Sequence, residues 1–333
     1  MPPSVQYNST AEERGEADRA FADLEGIIAM RKNIATVYHA LGSGIIAISF
    51  GSILARLAQA PAPTVAALRM VFSFLILLPF VLASAVTRAE LARLSRSDLG
   101  LLALSGLFLA LHFFLWISSL SFTGVTSSVV FVTTNPLWVA LYTVVFRKKG
   151  ISRAFWLGLG VSILGGAIIG GRDAFAGGSR WQGDILALGG AIAIAGYFLV
   201  GSRLRGRLSL MAYIFPVYGC AAVLLSIAAI ASGASFTGYG WESYSACFIM
   251  ALVCQILGHS LFNWALKYLE ATVVTIAVLG EPVGASILAF IILRERAVPT
   301  EIIGGAAILA GIFLVLHFSP EASEAKGRIA SGG

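Results

Sequence analysis

The stretch GEPVGASILAFIILRER, residues 280–296, places a carboxylate beside a proline inside a run of hydrocarbon side chains. The run covers residues 272–293, and Glu281 and Pro282 lie near its middle. A charged side chain at the centre of a bilayer costs roughly 2.5–3.5 kcal/mol or more, and a proline removes a helix hydrogen bond. A membrane helix that keeps both groups must shield them from lipid, so the stretch predicts a polar interior between helices.

The composition is typical of an integral membrane protein. The 333 residues are 58% hydrophobic and only 12% charged, with a mean hydropathy of +0.86. A soluble domain is nearer half apolar and a quarter charged, so this chain has too few polar groups to coat a globule. Cys220, Cys247 and Cys254 all lie in apolar runs without a C-x-x-C pair, and they are interpreted as small buried side chains rather than disulfides.

Ten runs are long and apolar enough to predict membrane helices, because a span needs about 20 mainly apolar residues. The predicted fold is therefore an all-α membrane protein with ten transmembrane helices. Residues 1–33 are polar and of mixed charge, which predicts a cytoplasmic tail with a short amphipathic helix around Phe21–Met30. Residues 319–333 are predicted to form a second cytoplasmic tail. The approximate spans are 35–54, 63–86, 98–120, 124–146, 154–171, 183–202, 209–232, 243–266, 271–293 and 299–318.

The lysines and arginines predict the orientation of these spans. With the N-terminus inside, most of the 23 basic residues fall in segments assigned to the cytoplasm, as the positive-inside rule requires. The net charge of +6 therefore indicates orientation and does not indicate a nucleic-acid partner. We expect a multi-pass protein of the cell inner membrane with both termini in the cytoplasm. The opposite side holds Arg56, Arg172, Arg180, Arg294 and Arg296, and Arg69 lies within a span.

The chain contains two copies of one five-helix pattern. LSFTGVTSSVVFVTTNP (120–136) aligns with LKYLEATVVTIAVLGEP (266–282), so that Pro136 corresponds to Pro282 at a shift of 146 residues (282 minus 136). An odd number of spans in each copy inverts the second copy relative to the first. Inverted repeats are typical of secondary transporters, whose substrate site lies near the membrane midplane. The predicted repeats are residues 34–172 and 183–318.

Four stretches of the sequence resemble the EamA family of the drug/metabolite transporter superfamily, and the resemblance covers about residues 34–318. It implies ten helices in two inverted halves, a central cavity lined by helices 1–4 and 6–9, and peripheral helices 5 and 10. It also implies export of small metabolites, often amino acids or related compounds. The first copy departs from the second in having Asn135 in place of Glu281. The stretches are GEPVGASILAFIILRER (280–296), GGAAILAGIFLVL (304–316), AALRMVFSFLILLP (66–79) and NPLWVALYTVVF (135–146).

The two mid-span prolines are the first candidates for a functional site. Pro136 and Pro282 are expected to leave the carbonyls of Val132 and Val278 without their usual amide partners. Free carbonyls at membrane depth are tolerated where they line a cavity. Together with Glu281, they suit a cationic or amino-bearing solute.

Glu281 and Arg69 are the two charged candidates within the spans. A carboxyl group shielded from water can hold a proton, which makes Glu281 the candidate for proton coupling. The planar guanidinium of Arg69 is suited to a carboxylate. The alternative is structural: Glu281 pairs with Arg69 or with a hydroxyl such as Thr275, or Arg69 extends towards the interface, and both serve only packing.

Uncharged polar and aromatic side chains complete the predicted binding site. His112 and His259 lie in equivalent helices of the two copies without H-x-x-x-H or H-E-x-x-H spacing, so no metal site is expected, and pathway lining, proton transfer and packing stay open. Gln255, His259 and Asn263 recur every four residues, which places them on one inward face of an α-helix. Aromatic rings can stack on a cationic solute or simply pack. The remaining substrate-binding candidates are Asn135, Trp116, Trp138 and Tyr142.

The leading hypothesis is a secondary transporter that exports small polar or amphipathic metabolites by alternating access. The alternatives are proton-coupled efflux of lipophilic cations or drugs, and translocation of a lipid-linked cargo. No G-x-S-x-G, H-E-x-x-H or P-loop motif occurs, so neither enzymatic activity nor a cofactor is expected. The expected partners are a small solute and the lipid bilayer, and the oligomeric state is open, a monomer included.

Overall fold

The computed structural model describes residues 35–123, 125–175, 181–293 and 299–320. The predicted N-terminal tail with its Phe21–Met30 helix lies outside these ranges, as does the C-terminal tail from residue 321. Within the described ranges the chain forms helices and the turns that connect them, and no strand is found there.

The main helices are numbered α1 to α10 in chain order, and α4 and α9 each consist of two segments, a and b. A short helix, Ala85–Ala92, joins α2 to α3. The main helices are α1 (Ala35–Leu57), α2 (Ala62–Ala83), α3 (Arg96–Ser119), α4a (Val125–Val132), α4b (Asn135–Val145), α5 (Arg153–Phe175), α6 (Trp181–Arg205), α7 (Leu210–Ala231), α8 (Trp241–Ala265), α9a (Ala271–Val278), α9b (Glu281–Leu293) and α10 (Pro299–Phe318).

Eight of the ten predicted spans are long and apolar enough to cross a membrane: α1, α2, α3, α4, α6, α7, α8 and α9. In α5 and α10 the apolar parts, Arg153–Ile169 and Ile302–Phe318, are shorter. Roughly half of each spanning helix is buried inside the bundle and the rest faces outward. The described part of the chain is therefore a multi-pass helical bundle in which eight helices reach spanning length.

Local polar signals set where several helices begin. The Ser95 hydroxyl accepts from the Asp98 amide, and the Asp98 carboxylate accepts from the Ser95 amide, so this capping box starts α3. Ser209 caps α7 in the same way through the Ala212 amide. Asp98 also pairs with Arg207 at 2.5 Å, which ties the start of α3 to the end of α6.

The prolines interrupt α4 and α9 at equivalent places, as their mid-span positions predict. Pro136 and Pro282 each occupy the second position of a new helical segment, where a missing N–H is tolerated. The residues before them, 133–134 and 279–280, form turns with bonds between residues three apart, such as Gly280 N–H to the Ala277 carbonyl at 3.0 Å. The Val132 carbonyl, which was expected to lose its usual amide partner, accepts from the Asn135 side-chain amide at 3.4 Å.

Equivalent helices of the two copies pack against each other in opposite directions. Segment α4a contacts α9b while α4b contacts α9a, so α4 and α9 are antiparallel. In the α5–α10 pair, a Cβ on Gly158 would lie 2.6 Å from the Gly311 carbonyl oxygen, and a Cβ on Gly165 would lie 2.5 Å from that of Gly304. At the 146-residue shift, Gly158 corresponds to Gly304 and Gly165 corresponds to Gly311. The contact between Gly158 and Gly311 in one copy therefore corresponds to the contact between Gly304 and Gly165 in the other. Contacts that exchange in this way define a local twofold axis.

The expected polar stripe on α8 lies partly in an irregular stretch of the helix. Met250–His259 forms a π-helix, and the Ser260 amide donates to the Gln255 carbonyl five residues earlier. A π-helix has slightly more than four residues per turn, so residues four apart still lie on the same side of α8. Gln255, His259 and Asn263 are all buried, but they face different neighbours, as described below.

Candidate functional site

A central cavity lies among the helices, beside the interruptions of α4 and α9. Its cavity volume is about 30 Å³, room for a few water molecules in this conformation. The described lining residues come from α1, α2, α3, α4, α6, α8 and α9, so of the eight helices that the resemblance implies, α7 contributes none. The lining residues are Ile48, Arg69, His112, Trp116, Val132, Thr133, Asn135, Ile194, Phe198, His259, Phe262, Val278 and Glu281.

Glu281 lines this cavity from the first position of α9b. Its side chain is buried, with 8% exposure, and its carboxylate makes no hydrogen bond or ion pair with any described residue. The Ser49 hydroxyl of α1 donates only to the backbone carbonyl of Glu281, at 3.3 Å. The Thr275 hydroxyl, one structural partner considered from the sequence, donates to the carbonyls of Ala271 and Thr272 instead. The carboxylate is therefore available to a solute or a proton.

Arg69 lines the same cavity from α2 and is almost completely buried, with 1% exposure. Its Nη2 donates to the Gln255 side-chain oxygen at 3.0 Å, and its guanidinium carbon lies 4.0 Å from the centre of the Phe113 ring. Its Nε has no hydrogen-bond partner. The hydrogen bond to Gln255 and the contact with the Phe113 ring hold the guanidinium in place, while its Nε donor stays unused. Arg69 and Glu281, both within the described ranges, do not form an ion pair, because no guanidinium nitrogen lies within 4.0 Å of a carboxylate oxygen.

His112 and His259 meet across the cavity wall with ring centres 6.3 Å apart. His112 Nδ1 lies 3.0 Å from the Gly190 carbonyl oxygen, and since a carbonyl only accepts, Nδ1 is the donor. In the neutral ring, Nε2 of His112 is then an acceptor. His259 packs edge-on against Phe113, and its Nδ1 is buried without a partner. No group of three or more histidine, cysteine, aspartate or glutamate residues within the described ranges is placed to hold a metal ion.

Asn135 and Trp116 add two more polar atoms without partners. The Asn135 side chain is 1% exposed, and its Oδ1 has no hydrogen bond. The Trp116 ring stacks on His112 at 6.0 Å, and its Nε1 is also unpaired. A buried donor or acceptor without a partner costs about 1–3 kcal/mol, and the unpaired atoms of Arg69, Trp116, Asn135 and His259 all belong to residues that line this cavity.

The structure does not bring the remaining candidates into the cavity. Trp138 packs against the main hydrophobic core, and its Nε1 is buried without a partner. Tyr142 is 39% exposed and stacks on Phe146 at 5.3 Å. Asn263 donates to the Tyr197 hydroxyl at 2.5 Å, away from the cavity. The prolines are also outside the lining: Pro136 is buried beside it, and Pro282 lines a second pocket.

Several lining residues were not predicted from the sequence. Thr133 adjoins the α4 interruption, and that position next to the proline was the one signal that pointed to it. Phe198 and Phe262 form an edge-to-face pair at 6.4 Å in the wall, and nothing in the sequence separates them from ordinary packing aromatics.

A helical bundle with eight apolar helices of spanning length and a buried, partly unpaired polar cavity is typical of a multi-pass membrane protein. A model of the EamA-like transporter family matches residues 35–171 and 181–317. An uncharacterized transporter from Archaeoglobus fulgidus is 27% identical over 253 residues, which cover 73% of this chain and 85% of that protein. A chain in a solved crystal structure shares the fold with a TM-score of 0.67 at 17% identity, covering 84% of this chain and 96% of the other.

The chain therefore belongs to the EamA-like transporter family, and two matched segments give it two family repeats. Membership places it in the drug/metabolite transporter superfamily, as the sequence resemblance predicted. It is a membrane transporter for a small solute, a class of protein that is generally not enzymatic.

Proposed function

We propose that this transporter exports small polar or amphipathic metabolites, amino acids or related compounds, across the cell inner membrane by alternating access. It would do so with ten spans in two inverted halves, residues 34–172 and 183–318, and with both termini in the cytoplasm. The basic residues concentrated in alternate loops support this orientation.

The observation that carries the proposal is the presence of Arg69 and Glu281 in one cavity, both buried and both with unused hydrogen-bonding capacity. A guanidinium suits a carboxylate and a carboxylate suits an ammonium group, so together they match a zwitterion. Asn135 Oδ1 and the acceptor nitrogen of His112 add acceptors for an amino group. Arg69 disfavours the runner-up cargo, a purely cationic drug, because like charges repel in a site of low dielectric.

The antiparallel packing of equivalent helices supports an inverted repeat. Two copies with opposite membrane orientation make α4 antiparallel to α9 and α5 antiparallel to α10, which are the pairings described above. In such transporters the two halves move around a fixed central site. The interruptions of α4 and α9 lie beside the cavity, where segments can tilt without breaking a continuous hydrogen-bond ladder.

Transport in proteoliposomes tests the proposal directly. The purified protein is reconstituted and screened for efflux and counterflow of amino acids and related amines against protein-free liposomes. We expect saturable flux for at least one zwitterionic solute. A folded protein that moves none of the panel above the protein-free rate contradicts the proposal, and flux confined to a lipid-linked cargo favours that alternative.

Proton coupling by Glu281 has its own test. If Glu281 carries the proton, wild-type flux responds to an imposed pH gradient, whereas the Glu281→Gln variant loses the response and at least tenfold of the driven rate. Glu242→Gln, a change at the exposed start of α8, serves as the control and keeps both. Equal flux in Glu281→Gln and wild type, without a pH response in either, eliminates the coupled mechanism and leaves facilitated diffusion.

A further inference from the structure

We propose that a second, apolar pocket beside the central cavity binds the hydrocarbon side chain of the solute whose polar head occupies the central cavity. The inference rests on the proposed function and narrows the solute class to amino acids or related amines with an aliphatic side chain. The second pocket, here called the side pocket, is lined by residues of α4, α5, α9 and α10. Its cavity volume in this conformation is about 10 Å³, room for about one water-sized group, so a longer side chain requires the pocket to widen.

The side pocket and the central cavity share a wall. Thr133 lines both of them. On α9 the two linings alternate along the chain: Val278 and Glu281 face the central cavity, while Leu279 and Pro282 face the side pocket. A head group near the Glu281 carboxylate is therefore one residue away from the side pocket.

The shared wall includes the points where α4 and α9 are interrupted. Thr133 and Leu279 lie in the turns that interrupt α4 and α9, and Pro282 has no N–H to donate. A small shift of these turns joins the two spaces without opening a regular helix. On the opposite side, Ser162 of α5 donates to the Ile308 carbonyl of α10 at 3.2 Å, so two lining residues close the pocket against each other.

The chemistry of the side pocket favours hydrocarbon. Its three described hydroxyl groups, on Thr133, Thr134 and Ser162, all donate to backbone carbonyls, at 2.8, 2.7 and 3.2 Å. Its other described lining residues are apolar, namely Val130, Ile163, Gly166, Leu279, Pro282 and Ile308.

The central cavity differs in that polar atoms there lack partners, including Trp116 Nε1, Asn135 Oδ1 and His259 Nδ1. The polar head of a solute thus fits the central cavity, and its apolar side chain fits the adjoining side pocket. Continuity with the polar cavity through Thr133 favours the solute over a lipid chain as the occupant, because only the solute has a head group that belongs there.

Gly166 offers a way to fill the side pocket. A Cβ at this position would lie 3.6 Å from the nearest atom, on Val130, which is ordinary contact, so a larger side chain extends into the space. Gly160 is the matched control, because it lies on the same helix, is exposed and would place a Cβ with no atom within 4 Å. The test compares wild type, Gly166→Leu and Gly160→Leu in proteoliposomes.

The probes are straight-chain amino acids from alanine to norleucine, measured as inhibitors of the transported solute. In wild type each added methylene is expected to strengthen inhibition roughly fourfold until the side pocket is full. Gly166→Leu should abolish this dependence while inhibition by alanine stays within twofold of wild type. Gly160→Leu should keep the dependence.

Several outcomes overturn the side-pocket proposal alone. The proposal is wrong if inhibition does not depend on chain length in wild type. It is also wrong if that dependence survives in Gly166→Leu, because this result indicates that a lipid chain occupies the side pocket. An equal loss for every probe in Gly166→Leu also contradicts it, because such a loss indicates general distortion. If Gly166→Leu does not fold, Gly166→Ala should end the gain one methylene earlier than wild type. Absence of transport for every solute instead removes the proposed function itself.

Discussion

Of the helix pairs that join the two repeats, α5–α10 and α4–α9 differ in how closely they pack. In the α5–α10 pair, glycines bring the two backbones into contact, with Gly158 and Gly165 opposite Gly311 and Gly304. In the α4–α9 pair, prolines interrupt both helices and leave a cavity lined by charged and amide groups. We call the α5–α10 packing the fixed contact. We call the α4–α9 packing beside the cavity, which the transport proposal requires to move, the adjustable region.

The energetics of the two regions follow from that difference. Close backbone approach maximises dispersion contacts, and apolar side chains such as Phe155, Leu159 and Ile308 complete a separate core around α5 and α10. Around the cavity, each unpaired buried polar atom costs about 1–3 kcal/mol. The region that the transport proposal needs to move is therefore also the region with the least favourable packing.

Disrupting the fixed contact is expected to have the largest effect. Gly165→Leu forces a side chain against the Gly304 carbonyl, which a Cβ already approaches to 2.5 Å. We expect the free energy of unfolding to fall by about 3 kcal/mol or more, since backbone rather than a flexible side chain blocks the space. Thermal unfolding of the purified protein measures it. Gly160→Leu on the same helix is the control, and equal stability of the two variants would contradict backbone contact at Gly165.

The next largest effect is expected from replacing Arg69, whose charged side chain lines the adjustable region. Arg69→Lys keeps the positive charge but loses the planar fork that bonds Gln255 and leaves Nε for the solute. We expect flux to fall about tenfold or more, because a hydrogen bond to a charged group contributes about 1.5–3 kcal/mol. Initial rates in proteoliposomes measure the loss.

Arg56→Lys is the matched change at an exposed position near the end of α1, and its flux should equal that of wild type. If Arg69→Lys transports at the wild-type rate, charge alone suffices and Arg69 serves to balance Glu281 rather than to bind a carboxylate.

The charged and interrupted positions were predictable from the sequence, and the reason is physical. Lipid cannot solvate a carboxylate or a guanidinium, so Glu281 and Arg69 had to face inward, and a proline within a run of spanning length had to end a helical segment. The antiparallel pairing followed from the odd number of spans in each copy. These features depend on residue type and chain order alone.

Aromatic positions were not predictable, because the rotation of a helix about its axis is set by its neighbours. Trp116 faces the cavity and Trp138 faces the core, although both lie mid-helix in apolar sequence. The π-helix of α8 was also hidden, since no residue type encodes the extra residue in its turn. The partners of the buried polar residues on α8 were not predictable either: His259 lines the cavity, whereas Asn263 donates to Tyr197.

The two tryptophans give a moderate test of which wall binds solute. Trp116→Phe removes the unpaired Nε1 donor from the cavity, and a neutral hydrogen bond contributes about 0.5–1.5 kcal/mol. We expect KM to rise about twofold to tenfold with little change in maximal flux. Trp138→Phe removes an equivalent group outside the cavity and should leave KM unchanged. A larger effect at Trp138 would place the solute on the other side of α4b.

The smallest effect is expected at the surface, where the chain leaving α4b lies near the start of α9a. Lys149 pairs with Glu270 at 2.8 Å, and the two side chains are 42% and 24% exposed. An exposed ion pair contributes at most about 1 kcal/mol, and salt screens it, so Glu270→Gln should change stability by less than that and flux by less than twofold. Thermal unfolding and flux at low and high salt measure both.

The pair nevertheless bridges the two interrupted helices, whereas Arg207–Asp98 bridges α3 and α6. If Glu270→Gln alters flux strongly at constant stability while Arg207→Gln does not, the ion pair restrains the movement of α4 against α9, and the adjustable region extends from the cavity to that end of the bundle.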